Sequence, residues 1–441
     1  MILLASTSNG SARFLAALGA AAVLAFGCGA SGTGESAGAA GAPTNSAGAA
    51  NTGGAASAGV ATAAGASAGG TSGGTSTAGV ASSGAAGLAA GASGAAAATA
   101  NSLASKYADY FPIGAAVSAW HLDHVSAQLA QDFNHLTCEN AMKVADIHPA
   151  EATFNWVEAD RIAGFARSHG MKMTGHNLLW HRQAPDWMFA GVTAGEAASL
   201  ELLKSRLKAH IDTVIARYAD VVDNWDVVNE AISDTAGKVY RDGGEMSKWY
   251  ELFGSEEYIY WAYKYAHDAL EAKAAGSSMG KLYYNEYVVT VKADKILTMF
   301  AWLETKGIHI DGIGIQSHEN LTWPAPADLQ GAFDKFVKAG YKLKISELDV
   351  TVYSDYSTGP FVASPQVSYT PTLATAQAAR YAQLFAVYRK NKANITSVSL
   401  WGVSDDHTWL NDEPVAGRTD YPLLYDGAHA PKSARAAIMA F

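Results

Sequence analysis

The chain has 441 residues, 49% of them apolar and 16% charged, and a formal net charge of -10. An acidic balance with no basic block excludes a nucleic-acid groove, and two cysteines exclude a disulfide scaffold or a Cys-rich zinc site. No apolar run reaches the roughly 18 to 20 residues of a membrane-spanning helix.

In chain order, the first feature is an export signature. Arg13 precedes an apolar run from Phe14 to Gly27, and Cys28 follows. A positive charge, a short apolar core and small residues before a cut are the parts of a secretory signal, assigned here to residues 1–28. Cys28 resembles the lipid-modified cysteine of bacterial lipoproteins, which would attach the chain to a membrane; plain secretion is the alternative. Either way the protein is expected outside the cell or on its surface. Residues 29–101 are Ala, Gly, Ser and Thr apart from Glu35, Pro43, Asn45, Asn51, Val60, Val80, Leu88 and Asn101. Such a stretch buries too little surface to offset its chain entropy, so it is read as a disordered tether. As a coil it would reach roughly 45 Å. Cys138 is read as a buried free thiol on a strand.

From Tyr107 onward, short apolar runs alternate with helical patterns. Candidate strands are Pro112–Val117, His135–Glu139, Lys172–His176, Val221–Val228, Leu282–Tyr287, Gly312–Gln316, Lys342–Leu348 and Ser397–Trp401. Between them, Trp156–His169, Leu200–Tyr218, Glu256–Ala272, Ala293–Lys306, Pro326–Lys338 and Ala374–Lys390 carry apolar residues at three- and four-residue spacing. Eight alternating units predict a (β/α)8 barrel over residues 102–441, with its site at the C-terminal ends of the strands. The rival, a doubly wound sheet, would want a Gly-rich loop after its first strand. Ile113-Gly-Ala-Ala-Val-Ser-Ala-Trp120 contains no G-x-G-x-x-G.

The strand ends are polar or aromatic throughout: Ser118 and Trp120; Glu139, Asn140 and Lys143; His176, Trp180, His181 and Gln183; Asn229 and Glu230; Asn285 and Tyr287; Gln316 and His318; Glu347 and Asp349; Trp401. Any one of these could merely cap a strand, but eight together outline a polar rim. Glu230 and Glu347 come directly off apolar strands, where an unpaired carboxylate is costly to bury. The fourth and seventh strand ends of a barrel face each other across its mouth. Two carboxylates there, among aromatic and hydroxyl-binding side chains, suit glycosidic bond cleavage.

Trp225-Asp-Val-Val-Asn-Glu230 resembles the acid/base segment of glycoside hydrolase family 10, the retaining endo-β-1,4-xylanases. Glu139-Asn-Ala-Met-Lys143, Gly175-His-Asn-Leu-Leu-Trp-His181, Asp311-Gly-Ile-Gly-Ile-Gln-Ser-His318, Ile345-Ser-Glu-Leu-Asp349 and Trp401-Gly-Val-Ser-Asp405 follow in the family's order. The family is a (β/α)8 barrel, and the resemblance implies a role for each residue. Glu347 would be the nucleophile, and Glu230 the acid and then the base. The reaction starts with Glu230 protonated and Glu347 ionised. Once Glu347 is esterified its charge is gone, and Glu230 can then take a proton from water. His318 and Asp349 would orient the nucleophile, Asn229 would meet the sugar 2-hydroxyl, and Gln316 would sit near the acid/base. Glu139, Asn140, Lys143, His176 and Gln183 would bind hydroxyls on the glycone side, Trp180, Trp401 and Trp409 would wall it, and Tyr287 would stack on the aglycone side. Substrates would be xylan and xylo-oligosaccharides, acted on by a monomer without cofactor. Histidines near carboxylates can hold zinc, but His176, His181 and His318 form no local metal pair, and no metal is expected.

The chain departs from the family in places. Glu286 stands where Asp is usual, and Asp405-Asp-His-Thr-Trp409 replaces a basic and an aromatic residue before a Ser-Trp. Asp234–Met246 and Tyr353–Thr372 read as loop inserts that could lengthen or narrow the cleft. Two alternatives are a β-1,4-glucanase of the same fold and a surface xylan-binding protein without catalysis; the intact Glu230 and Glu347 speak against the second.

Overall fold

The computed structural model describes residues 101–273, 280–354 and 363–441. The expected signal segment, Cys28, and the tether up to residue 100 lie outside the described residues, as do positions 355–362 of the second insert.

Nine strands are described: β1 (Ile113–Val117), β2 (His135–Cys138), β3 (Lys172–His176), β4 (Val222–Asn229), β5 (Lys281–Glu286), β6 (Gly312–Ile315), β7 (His318–Asn320), β8 (Lys342–Thr351) and β9 (Ile395–Leu400). β1 to β6 pair in order, β6 pairs β8, β8 pairs β9 and β9 returns to β1, all in parallel. Eight strands therefore close into the expected barrel. β7 is the addition. The sixth strand breaks after β6, with Ser317 at φ 58°, and resumes as β7, whose His318 pairs in register with Asp349 of β8. Three residues beginning with His and Glu carry no apolar run that could have announced it.

The main outer helices are α1 (Ser126–Asp132), α2 (Val157–Ser168), α3 (Ala197–Tyr218), α4 (Glu257–Lys273), α5 (Val289–Thr305), α6 (Pro326–Lys338), α7 (Pro371–Lys390) and α8 (Ser433–Met439). α6 has the expected bounds because its signals agree. Pro326 begins it, Asp328 lies in the first turn and Lys335 and Lys338 in the last, and Leu329, Ala332, Phe333 and Phe336 make one buried face. α5 starts four residues before its expected Ala293. The run Val288-Val289-Thr290-Val291 has strand propensity, but burial of Val289, Lys292, Ala293 and Ile296 on one face overrides it.

Both faces of the barrel strands are covered, so β1 and β2 are buried at every position; β1 reads as an unbroken apolar run, while β2 also buries His135 and Thr137. Trp225 of β4 lies flat against β3. A Cβ on Gly175 would sit 2.1 Å from its ring, so only glycine fits there. Cutting Trp225 to Ala would cost about 3 to 5 kcal/mol. Cys138 is buried on β2 as a free thiol, as read from sequence.

The barrel lumen beneath the rim is polar. Lys344 Nζ donates to Asn224 Oδ1 at 2.8 Å and to Asp226 Oδ1 at 2.6 Å, and Asp226 Oδ2 lies 3.0 Å from His176 Nδ1. Burial pushes the Asp226 carboxyl up, but the Lys344 ammonium and His176 outweigh it and hold the group below the usual range. This layer is a charged floor under the strand ends.

Candidate active site

The floor and the two strands β4 and β8 present Glu230 and Glu347 at the rim. Glu347 is inside β8, 5% exposed, and its backbone N–H donates to Gln316 O at 2.9 Å, which fixes it against the broken sixth strand. Its two oxygens have separate partners. Asn285 Nδ2 donates to Oε1 at 2.6 Å, and His318 Nε2 lies 3.1 Å from Oε2. The other ring nitrogen of His318 is 2.8 Å from Asp349 Oδ2, which also accepts from Trp409 Nε1 at 2.8 Å. Burial disfavours a charged His318, but Asp349, and then Glu347, reverse that and push the ring up to about 10. The ring is thus an imidazolium donating to two carboxylates. Burial likewise opposes ionisation of Glu347, yet the His318 hydrogen bond, the His176 and His318 charges and Asn285 hold its carboxyl below the usual range.

Glu230 ends β4 in a left-handed turn, φ 55°, a conformation that costs a non-glycine residue about 1 to 3 kcal/mol. Two backbone bonds hold it there: its N–H donates to Asn285 O at 3.0 Å, and its carbonyl accepts from Arg241 Nε at 3.1 Å. The hydrogen bonds described for its carboxylate come from neutral side chains, while the charges of Arg182 and Arg241 also act on it. Trp180 Nε1 reaches Oε2 at 2.9 Å, while Gln316 Nε2 reaches Oε1 at 2.9 Å and Asn229 Nδ2 is 3.5 Å from Oε1. Asn229 Oδ1 accepts from Asn285 Nδ2 at 2.9 Å, so amides connect the two carboxylates across the mouth.

The residues expected around the glycone gather on one side. Lys143 Nζ donates to Asn140 Oδ1 at 2.9 Å and lies 5.1 Å from the Trp180 ring and 5.9 Å from the Trp401 ring. Trp401 meets His176 edge-on at 5.3 Å. Glu139 follows β2, and burial raises its carboxyl above the usual range. Gln183, at φ 45°, turns its amide to Asp146 Oδ2 at 3.4 Å. Trp180 does more than wall this side, because its indole N–H also holds Glu230.

Tyr287, expected on the aglycone side, stands on a buried ionic network absent from the sequence reading. Its hydroxyl donates to Asp234 and accepts from Arg241 at 2.8 Å, and Lys292 Nζ lies 3.5 Å from its ring centroid. Lys292 also pairs with Asp234 at 2.7 Å and Glu286 at 3.0 Å, and Arg241 with Asp234 at 3.0 Å. The first insert, which contains Asp234 and Arg241, therefore buttresses Tyr287 and the turn at Glu230. Asn285, a rim residue to which the resemblance gives no role, ties Glu347 to Asn229. Its place at a polar strand end was the available signal. For Asp226 the signal was an acid in mid-strand, which must be paired if buried.

A sequence model described as glycosyl hydrolase family 10 matches residues 102–441. Among curated relatives, the chain is 42% identical over 345 residues to an endo-1,4-beta-xylanase A of Caldicellulosiruptor saccharolyticus, covering 77% of this chain and 96% of that protein. It is 38% identical over 333 residues to an endo-1,4-beta-xylanase B of Paenibacillus barcinonensis, covering 75% of this chain and 95% of the relative. Among solved structures, a mutant protein in complex with xylotriose is similar with a TM-score of 0.69 and 38% identity, over 77% of this chain and 99% of that one.

Proposed function

The chain belongs to glycosyl hydrolase family 10, and we propose that it is a retaining endo-β-1,4-xylanase, hydrolysing internal β-1,4-xylosidic bonds of xylan by double displacement. The observation that carries this reading is the unequal support of the two rim carboxylates. Glu347 is kept ionised by an imidazolium and an amide, as a nucleophile requires. Glu230 is oriented by the Trp180 indole and the Gln316 amide, as an acid/base aimed at a glycosidic oxygen requires.

In the first step Glu347 attacks the anomeric carbon while Glu230 gives its proton to the glycosidic oxygen. The carbon–oxygen bond to the aglycone breaks and a glycosyl ester forms on Glu347. In the second step Glu230 takes a proton from water, the hydroxide attacks the same carbon, and the ester is cleaved with the β configuration retained. His318 and Asp349 position Glu347. Asn229 meets the 2-hydroxyl, a contact that strengthens as positive charge develops on the ring. Glu139, Asn140, Lys143, His176 and Gln183 hold glycone hydroxyls among Trp180, Trp401 and Trp409, and Tyr287 stacks on the leaving sugar.

The same proposal extends to the N-terminal segments, on their composition. Residues 1–28 direct export, with Cys28 as the lipidation candidate, and residues 29–101 tether a monomeric catalytic domain outside the cell. The mass of the mature N-terminus tests this: a processed or lipidated Cys28 supports it, and a chain beginning at Met1 contradicts it. For the catalytic assignment, Glu347→Ala should be inactive on xylan, and azide should restore turnover of an activated aryl xyloside with inversion to the α-azide. Unchanged hydrolysis by this variant rejects the nucleophile.

A further inference from the structure

Against the burial that opposes it, the charge of Glu347 is held first by His318, and His318 stands on β7, a strand of three residues. We propose, resting on the reading of Glu347 as the nucleophile, that Arg380 of α7 is a positioning residue for the reaction: its guanidinium locks β7 in place and so keeps the His318 ring on Glu347. β7 has little length with which to do this alone. It follows the break at Ser317, and across that break the Asp349 N–H reaches Ser317 O only at 3.4 Å, long for a bond between backbone groups.

Beyond β7 the chain turns sharply. Asn320 Oδ1 accepts from the Thr322 and Trp323 N–H groups at 2.9 and 2.7 Å, and the Asn320 N–H donates to Trp323 O at 3.1 Å. Arg380 grips both ends of this turn. Its Nε donates to Asn320 O at 3.0 Å, and its Nη2 donates to Pro324 O at 2.7 Å and to Glu319 Oε2 at 3.0 Å. One turn earlier on the same helix, Gln377 Nε2 donates to Val350 O at 2.8 Å, and Val350 is the register partner of Glu319. α7 therefore holds both strands of the β7–β8 pair.

Alternate residues of a strand face opposite sides. His318 faces Glu347 and Asp349, while its neighbour Glu319 faces Arg380, so the grip lies directly behind the imidazole. Arg380 is 1% exposed and Glu319 4%. For stability alone, apolar residues of similar size often serve as well as a buried pair or better. What the guanidinium adds is direction: a rigid fork reaches three acceptors at once, which a lysine ammonium on its flexible stem does not reproduce. Asp349 and His318 also act on the Glu319 carboxyl, and Glu347 in turn faces His318, His176 and Asn285.

The test compares Arg380→Lys with His318→Asn and Tyr107→Phe in the full chain. Lysine keeps a cation beside Glu319 and forfeits the forked grip. Tyr107→Phe removes a buried bond to Ile438 O, 2.6 Å long and remote from β7, and serves as the purely structural control. In Arg380→Lys, kcat on xylan should fall about tenfold with KM within about twofold, because small misplacements of catalytic groups cost rate before binding. The acid limb of kcat/KM should move to higher pH, in the same sense as in His318→Asn. In 15N-histidine-labelled protein the His318 ring N–H signal, assigned by its absence from His318→Asn, should shift or broaden. Tyr107→Phe should lower the melting temperature and change neither readout. Should Arg380→Lys fail to fold, Arg380→Met combined with Glu319→Met removes both charges together, and the same shifts are expected of it. A lower melting temperature with the parent's acid limb and N–H signal would overturn the proposal. An acid limb that moves in His318→Asn but not with Arg380 replaced faults the clamp alone; one unmoved in both faults the reading of Glu347 and the clamp together.

Discussion

Glu230 and Glu347 leave the fourth and seventh strands of one barrel and share the amides of Asn285 and Asn229, yet their surroundings differ in kind. Around Glu347 the decisive partner is charged: the His318 imidazolium, itself held by Asp349. Around Glu230 the hydrogen bonds described come from an indole, a glutamine and an asparagine, with the Arg182 and Arg241 charges acting beside them. A hydrogen-bonded cation favours the ionised form of a carboxylate more strongly than a neutral donor does. The division of labour between two identical side chains thus follows from which partners their strands bring, and it can be broken at either end.

The largest effect should come from Glu347→Ala. Loss of the nucleophile is expected to lower kcat on the order of 10⁴-fold or more on every substrate, measured as new reducing ends. Glu230→Ala should cost about 10² to 10⁴-fold on xylan, where the leaving group needs a proton, and far less on dinitrophenyl glycosides that leave unaided. Equal losses on both would mean that the two sites are not divided as described.

A smaller and more discriminating effect is expected from His318→Asn. Without the imidazolium, the Glu347 carboxyl rises towards its ordinary range, so the acid limb of kcat/KM should move to higher pH, with kcat down by about 10 to 10²-fold. The same substitution predicts a stability signature. The His318 ring is raised from 6.5 to about 10 in the folded chain, so its contribution is fully present below 6.5 and is lost as pH climbs through about 10. The stability gap between the parent and His318→Asn, read by urea unfolding, should therefore narrow across that window. A gap that widens with pH would reverse the assigned charge. Removing residues 29–100 should leave kcat/KM on soluble xylan unchanged, since every contact described for the rim comes from residues beyond Asn101; a large loss would give the N-terminal stretch a part in binding.

Much of this architecture was legible in the residues, for physical reasons. Short strands rich in buried residues alternate with longer helical patterns, so β1, β2 and β3 could be found within a residue or so. The rim was legible because polar side chains end those runs, and Glu230, Glu347, His318 and Asp349 all lie in quoted segments. What escaped depends on contacts between distant parts of the chain. β7 is made by its register with β8 and not by any pattern of its own. Arg241 and Lys292 are 51 positions apart, and only folding brings both to Asp234 and Tyr287. Their charges look like solvated surface in the sequence and prove to be a buried brace, the removal of either half of which would cost about 3 to 5 kcal/mol.

The most direct test of the account is to trap the covalent intermediate with a 2-deoxy-2-fluoro xylobioside carrying a good leaving group, and to map the labelled peptide by mass spectrometry. The account predicts one sugar ester per chain, on Glu347. A label on Glu230, or turnover without any label and with an α-configured first product by NMR, would contradict it.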